Sequence, residues 1–299
     1  MSNINFFRVL QSGGVGGTPP PTWEVDDVDT NTIGTNNLPT SIIPSTQAIY
    51  PPTFIDASGI KLYAYDSINS KINHGNFATS WNVNSTVTYQ ESHTSGRFNF
   101  NPDGIGFKPD GTKFYALKQS IATAGDTFLY QSTLSTAWDI STMSTLSLEI
   151  QESESAKCAA FTLSSDGLTL WVITGTERSS TNSTIKSHKY TLSTAWDIST
   201  AGSPTVSNIT SLWAGETVPL ITALDFYPNA VDGNNILITG GSGHMVAFNN
   251  DLTTSNFQSD GGGYSLYAAS SENLYAFQPS RTGGVGNFIW NIQLFNTNF

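Results

Sequence analysis

Apolar and β-forming residues gather in short runs on either side of an Asp-Gly step, and the pattern recurs along the chain. Phe107-Lys108-Pro109-Asp110-Gly111-Thr112-Lys113-Phe114-Tyr115-Ala116-Leu117 matches the run from Phe161 through Asp166-Gly167 to Ile173, and more loosely the run from Phe54 through Ser58-Gly59 to Tyr65. Each reads as strand, turn, strand, because glycine takes the positive φ that a tight hairpin needs and Asp tolerates it. Degenerate copies run from Phe226 through Asp232-Gly233 to Ile238 and from Leu266 to Phe277, which makes five units.

A second element keeps the same period. Leu134-Ser135-Thr136-Ala137-Trp138-Asp139-Ile140-Ser141-Thr142 returns as Leu192-Ser193-Thr194-Ala195-Trp196-Asp197-Ile198-Ser199-Thr200, with the tryptophans 58 positions apart, and a weaker copy places Trp81 57 positions before Trp138. Fixed periods of this size mark solenoids, propellers or arrays. Within a unit the first strand precedes the Asp-Gly turn and the second follows it. A third leads into Leu-Ser-Thr-Ala-Trp, and a fourth follows Asp-Ile-Ser-Thr, as at residues 145–151. Four antiparallel strands repeated radially make the blade of a β-propeller.

The expected fold is therefore all-β, a β-propeller of about five four-stranded blades with an extended N-terminal arm. The units fall near residues 41–90, 91–151, 152–210, 211–258 and 259–299. The last unit is one strand short, so the ring is expected to close with a strand from before the first blade, residues 41–50 or, as a second choice, residues 4–10.

The unit Gln-Glu-Ser, Ala-Phe, Pro-Asp-Gly-Thr-Lys, Tyr-Thr-Leu-Ser-Thr-Ala-Trp-Asp-Ile-Ser-Thr resembles a repeat common in β-propeller proteins of marine bacteria and their phages. The resemblance covers roughly residues 53–210 well and residues 211–299 poorly. Asn82 stands where the later copies have Asp, and units four and five lack the tryptophan signature. Such repeats are scaffolds that carry many functions, so the resemblance implies a fold and a phage setting more than a chemistry.

Residues 1–40 differ in kind. Gly13-Gly14-Val15-Gly16-Gly17, then Pro19-Pro20-Pro21 and Thr/Asn-rich stretches, predict an extended arm that no local periodicity orders. Its apolar residues Ile4, Phe6, Phe7, Val9, Leu10 and Trp23 are the candidate assembly anchor, binding other virion proteins; an arm wrapped on its own propeller is the alternative. The remaining residues, 41–299, form the expected propeller. The opening residues lack a basic leader and a long apolar segment, so no secretory signal is expected, and the expected setting is a virion assembled in the host cytoplasm.

Composition narrows the partners. Charged residues are 12% of the chain, and 23 acidic against 12 basic residues give a net charge of −11. That balance argues against nucleic acid, whose phosphates need basic clusters. No stretch has the length and apolarity of a membrane-spanning helix. Cys158, the single cysteine, reads as a small core residue rather than a reactive thiol.

Catalytic motifs are sparse, and no cofactor is expected. His74, His93, His188 and His244 lack metal-ligand spacing and read as surface or structural residues in loops or at strand edges. The glycine runs near 13–17, 240–243 and 261–263 lack the Lys-Ser/Thr of a phosphate loop. Asp27-Val28-Asp29-Thr30-Asn31 alternates oxygen ligands like a calcium loop, but Thr32 and Leu38 stand where such a loop needs Gly and Glu. Asp110, Asp139, Asp166 and Asp197 read as turn and cap residues. Asp66, Asp225 and Glu149 are the carboxylates that could project to the propeller axis, where a glycoside hydrolase would pair its acids.

Trp81, Trp138 and Trp196 read as inter-blade core. Trp213, Tyr227, Tyr264 and Trp290 are the candidate exposed aromatic surface. The expected function is a non-enzymatic virion structural protein, a capsid decoration or tail-associated component. A host-receptor or glycan-binding adhesin is the alternative, with a propeller hydrolase behind it.

Overall fold

The computed structural model describes residues 28–37, 42, 53–56, 58–80, 85–94, 100–119, 126–152, 158–164, 166–175 and 184–210, together with strands at 221–227, 235–240, 245–249, 255–258, 265–270, 273–281 and 288–297. The described residues form an all-β fold with two short 3-10 turns, Ile140–Thr142 and Ile198–Thr200.

Three repeats build three four-stranded antiparallel sheets, each in sequence order. The first holds β2 (Thr53–Ile55), β3 (Lys61–Asp66), β4 (Lys71–Phe77) and β5 (Val87–Thr94). Its neighbour holds β6 (Gly104–Phe107), β7 (Lys113–Gln119), β8 (Thr127–Thr133) and β9 (Ser147–Glu152). The third holds β10 (Cys158–Leu163), β11 (Thr169–Gly175), β12 (Ile185–Thr191) and β13 (Thr205–Asn208). Strand pairing continues through β14 (Ile221–Tyr227), β15 (Asn235–Gly240), β16 (Met245–Asn249) and β17 (Ser255–Gln258), then β18 (Ser265–Ser270), β19 (Asn273–Arg281) and β20 (Phe288–Thr297). The first strands of successive sheets lie side by side: β2 beside β6, β10 beside β14, and β14 beside β18. Strands meander outward from that inner row, which is a propeller-like arrangement.

The last sheet runs β18-β19-β20-β1, and β1 is Val28–Asn37, paired antiparallel with β20 from Val28 opposite Thr297 to Asn37 opposite Asn291. The missing strand does come from before the first sheet, but from neither expected segment. It lies inside the stretch 1–40 read as arm, and it takes Val28–Asn31 of the Asp27–Asn31 run into the strand, with Val28 paired and a register break before Thr32. An outermost strand is held by ladder hydrogen bonds to one neighbour, so its Thr/Asn-rich sequence needs no apolar alternation. Between β1 and β2, Ile42 is fully buried. Asn73 Nδ2 on β4 donates to the Ile42 carbonyl at 2.7 Å, which ties the connector to the first sheet.

Aromatic residues fill the space between the first two sheets. The Phe54 and Phe107 rings lie 5.0 Å apart, Phe107 and Trp138 5.3 Å, and Tyr63 and Phe107 4.6 Å. Phe54, Tyr63 and Phe107 belong to one buried cluster, with the partly buried Trp138 packed against it, that runs on through Phe161 and Leu170 of the third sheet to Trp196 and Ile198.

The hairpins are four-residue loops rather than two-residue primed turns. Lys108 N–H donates to the Lys113 carbonyl, and Gly111 N–H to the Lys108 carbonyl at 2.7 Å. Asp56 with Gly59, and Ser164 with Gly167, repeat both bonds. Gly59, Gly111 and Gly167 take φ of 68°, 73° and 71°. Glycine is needed here because an L side chain crowds the left-handed region.

Candidate functional site: an interlocking clasp between sheets

The two repeated motifs meet in space. Trp138 N–H donates to the Gly111 carbonyl at 2.9 Å and Trp196 N–H to the Gly167 carbonyl at 2.8 Å, so each signature folds back over the turn of its own sheet. Trp138 and Trp196 themselves sit at positive φ, 69° and 64°. Their rings cover the turn glycines so closely that a Cβ on Gly111 would stand 2.5 Å from the Trp138 indole, and Gly167 faces Trp196 in the same way. Asp139 and Asp197 then cap the 3-10 turns: Oδ1 of each accepts from the N–H and hydroxyl of Ser141 or Ser199.

The preceding sheet grips this platform. Tyr63 on β3 donates its hydroxyl to the Trp138 carbonyl at 2.7 Å, and Tyr115 on β7 donates to the Trp196 carbonyl at 2.6 Å. At the second junction Gln131 Nε2 donates to Asp197 at 3.0 Å while its Oε1 accepts from Ile198 N–H, and Lys113 Nζ lies 3.1 Å from Asp197 Oδ2. Burial alone would raise the Asp197 carboxyl, but the Ser199 and Gln131 hydrogen bonds and Lys113 hold it well below the ordinary carboxylate range. Burial pushes the Tyr115 hydroxyl well up, with the Asp197 and Asp110 charges adding, so Tyr115 stays a protonated donor. The arrangement is a tyrosine clasp, formed twice with the same geometry.

The other repeat carboxylates serve turns, as their positions predict. Asp110 accepts from Thr112 N–H and hydroxyl and pairs with Lys108 at 2.7 Å. Asp166 accepts from Leu168 N–H and the Ser164 hydroxyl. Asp56 accepts from Ile60 and Lys61 N–H.

Two of the three carboxylates expected at the axis are elsewhere. Asp66 ends β3 and accepts from the N–H groups of Ile68 and Asn69 in the following turn and from Asn69 Nδ2; the donors of that turn hold it there. Glu149 lies on β9, the outermost strand of its sheet, and accepts from the Ser147 hydroxyl. Asp225 falls on β14, a first strand, and its side chain is outside the described residues.

Two histidines also depart from the loop or edge reading. His74 is buried on β4 with its ring stacked on Tyr63 at 4.7 Å, and its Nε2 lies 3.0 Å from Asn76 Oδ1. His188 is buried on β12, with Nδ1 3.2 Å from Glu152 and Nε2 3.1 Å from the Thr174 hydroxyl. Third strands have neighbours on both sides, so a polar residue on their packed face is enclosed. His93 falls on β5 without a described side chain, and His244 lies outside the described residues. No group of three or more potential metal ligands occurs among the described residues.

The candidate anchor residues Ile4, Phe6, Phe7, Val9, Leu10 and Trp23 lie outside the described residues, as do Trp81, Trp213 and Tyr264. Tyr227 closes β14 opposite Asn235, and Trp290 stands on β20 opposite Pro279, so these two members of the candidate aromatic surface belong to different sheets. Cys158 opens β10 opposite Gly175. Sequence reasoning passed over Tyr63, Tyr115, Gln131 and Lys113. One signal was available: a tyrosine four residues after the turn glycine in both clasped repeats.

No family model matches the chain, and no curated protein matches it by sequence. Similar solved structures include a GH43 glycoside hydrolase engineered for endo-xylanase and exo-arabinofuranosidase activity, at 12% identity and a TM-score of 0.50 over 88% of this chain and 51% of that one. This chain thus spans about half the length of that hydrolase. A luciferin-regenerating enzyme matches at 9% identity and a TM-score of 0.49 over 93% and 94% of the two chains, and TolB from Acinetobacter baumannii at 13% and 0.43 over 81% and 53%. At such identity the hydrolase likeness speaks to the propeller-like fold alone.

Proposed function

We propose that this chain is a non-enzymatic structural component of a phage particle, a capsid decoration or tail-associated protein. Its N-terminal arm holds it to other virion proteins, and a five-bladed propeller is displayed outward. The observation that carries the reading is where the repeated polar residues go. Asp56, Asp66, Asp110, Asp139, Asp166 and Asp197 are all engaged in turns, caps or the clasp. The repeat is therefore organised for holding sheets together, and the resemblance to phage repeats supplies the setting. Five four-stranded sheets, the last completed by β1, support the blade count.

Deleting residues 1–20 tests the proposal, because it removes five of the six candidate anchor residues and leaves β1 in place. The expected result is an unchanged melting temperature with loss of incorporation into particles. Full incorporation of the truncated chain overturns the anchoring role.

One observation favours the second reading, a host-receptor or glycan-binding adhesin. Phe100 and Tyr130 stack at 4.6 Å, and Lys118 Nζ lies 5.3 Å from the Phe100 ring and 5.9 Å from Phe128, all four partly exposed. Aromatic faces beside a cation suit an acidic sugar. Retention of the purified protein on host surface polysaccharide, lost in Tyr130→Ala, is the expected result of that reading; no retention of the wild type removes it.

A further inference from the structure

We infer that the side of the second sheet facing the first is a sugar site, built on Phe100, Lys118, Phe128 and Tyr130, that takes a carboxylate-bearing unit of a host surface polysaccharide; the site belongs to the adhesin reading and rests on it. Side chains alternate between the two faces along a strand. Tyr115 and Gln131 reach the third sheet, so Lys118 on β7 and Tyr130 on β8 stand on the opposite side, toward the first.

The repeats show what this position does in the other copies. Tyr63, Tyr115 and Trp171 stand opposite His74, Gln131 and Lys189. By that register Tyr130 corresponds to Asn73 in the first sheet and to His188 in the third. Both counterparts are 1% exposed, and both reach what lies in front of their own sheet. Asn73 donates to the Ile42 carbonyl, and His188 lies 3.2 Å from Glu152 of the second sheet. Lys118 corresponds in the same way to Asp66, which holds its turn, and to Thr174, which meets His188. Two copies thus use the position to close the structure.

The second copy carries different chemistry there. Tyr130 is partly exposed, with its ring stacked on Phe100 at 4.6 Å. Lys118 Nζ stands between two rings, 5.3 Å from Phe100 and 5.9 Å from Phe128, its register partner on β8. Asn101, next to Phe100, accepts from the Tyr65 hydroxyl at 2.7 Å, which fixes the Phe100 end of the site to the first sheet. Ring faces receive the C–H face of a pyranose, and an ammonium beside them receives a carboxylate in a charge-assisted hydrogen bond. The chain carries a net charge of −11, so a polyanion is repelled by the protein at large and is held only where a cation is placed for it.

Affinity gel electrophoresis of the full chain tests this against polygalacturonate, alginate and hyaluronate, with dextran as the neutral counterpart. Retardation by at least one of the carboxylated polysaccharides, and not by dextran, is expected. Lys118→Thr, which gives the position the side chain of its third-sheet counterpart, is expected to weaken that binding at least about ten-fold at an unchanged melting temperature, the factor that one charge-assisted hydrogen bond supports. Lys118→Arg is expected to keep it, and Lys186→Ala on the third sheet to leave it unchanged. If Lys118→Thr melts lower, Lys118→Gln makes the same comparison. Equal retardation by dextran, retardation by none of the carboxylated polysaccharides, or wild-type binding by Lys118→Thr overturns the site. Retention on host polysaccharide that survives Lys118→Thr leaves the adhesin reading standing without this site, whereas no retention of the wild type removes both.

Discussion

The hydroxyl of Tyr115 donates to the backbone carbonyl of Trp196 at 2.6 Å, across 81 residues and onto the next sheet. Backbone acceptors at a sheet junction are enclosed, so losing the donor costs both the bond and the desolvation of the carbonyl.

Tyr115→Phe keeps the ring and removes that donor. The expected loss is about 1–2 kcal/mol, read as a lower midpoint in urea with an unchanged slope. Tyr63→Phe, whose hydroxyl meets the Trp138 carbonyl at 2.7 Å, is expected to behave alike. A loss below about 0.3 kcal/mol for both would leave the clasp without energetic weight.

The turn glycines offer a sharper contrast. Gly111→Ala and Gly167→Ala each force a side chain into left-handed backbone, at about 1–2 kcal/mol, and push against an indole as well. Melting temperature is expected to fall by at least about 4 °C for each. Gly202→Ala is the control, because its nearest non-neighbour atom would be 3.7 Å away and its φ is not positive; it is expected to melt within about 2 °C of wild type.

Acid should weaken the second junction before neutral pH does. The folded-state Asp197 carboxyl is depressed from its ordinary value of 3.8. It therefore adds stability above that value and loses the contribution as pH falls toward the depressed folded value. Denaturation midpoints measured between about pH 6 and pH 2 are expected to fall less steeply for Asp197→Asn than for wild type. Parallel profiles would show that Asp197 is not coupled to folding.

Ile42→Ala tests the connector from β1 to β2. Ile42 is fully buried and its carbonyl is held by Asn73, so the expected cost is about 2–4 kcal/mol. A neutral result, read by chemical denaturation, would mean that the connector adds little to the first sheet.

Much of the strand order was legible because tryptophan, Asp-Gly and Leu-Ser-Thr recur at one spacing, and repetition outweighs the ambiguity of any single run. The closing strand was not legible. Val28–Asn37 carries threonine, asparagine and glycine, and nothing local separates an outermost strand from a linker; only its register with β20 does. Tyr63 and Tyr115 were visible as repeated residues, but their acceptors are backbone carbonyls 75 and 81 residues away, and carbonyls leave no mark in a sequence. His188 and Glu152 were equally hidden, since their pairing joins two different sheets. Asp66 was among the carboxylates that could project to the axis, and the turn donors that hold it instead, Ile68 and Asn69 N–H, are backbone groups that leave no mark in a sequence.

The pairing of Val28 with Thr297 also sets an order of events at the ribosome. β1 is the first described strand to be translated and β20 the last, so the final sheet cannot form until nearly the whole chain has left the exit tunnel. The three consecutive repeats can assemble one after another as they emerge, from contacts close in sequence. The last sheet must wait for an encounter between the two ends, the slowest kind of contact to find. Until then β1 lacks its partner and β20 has only β19, so a translation product truncated before β20 leaves β1 open to edge-to-edge association.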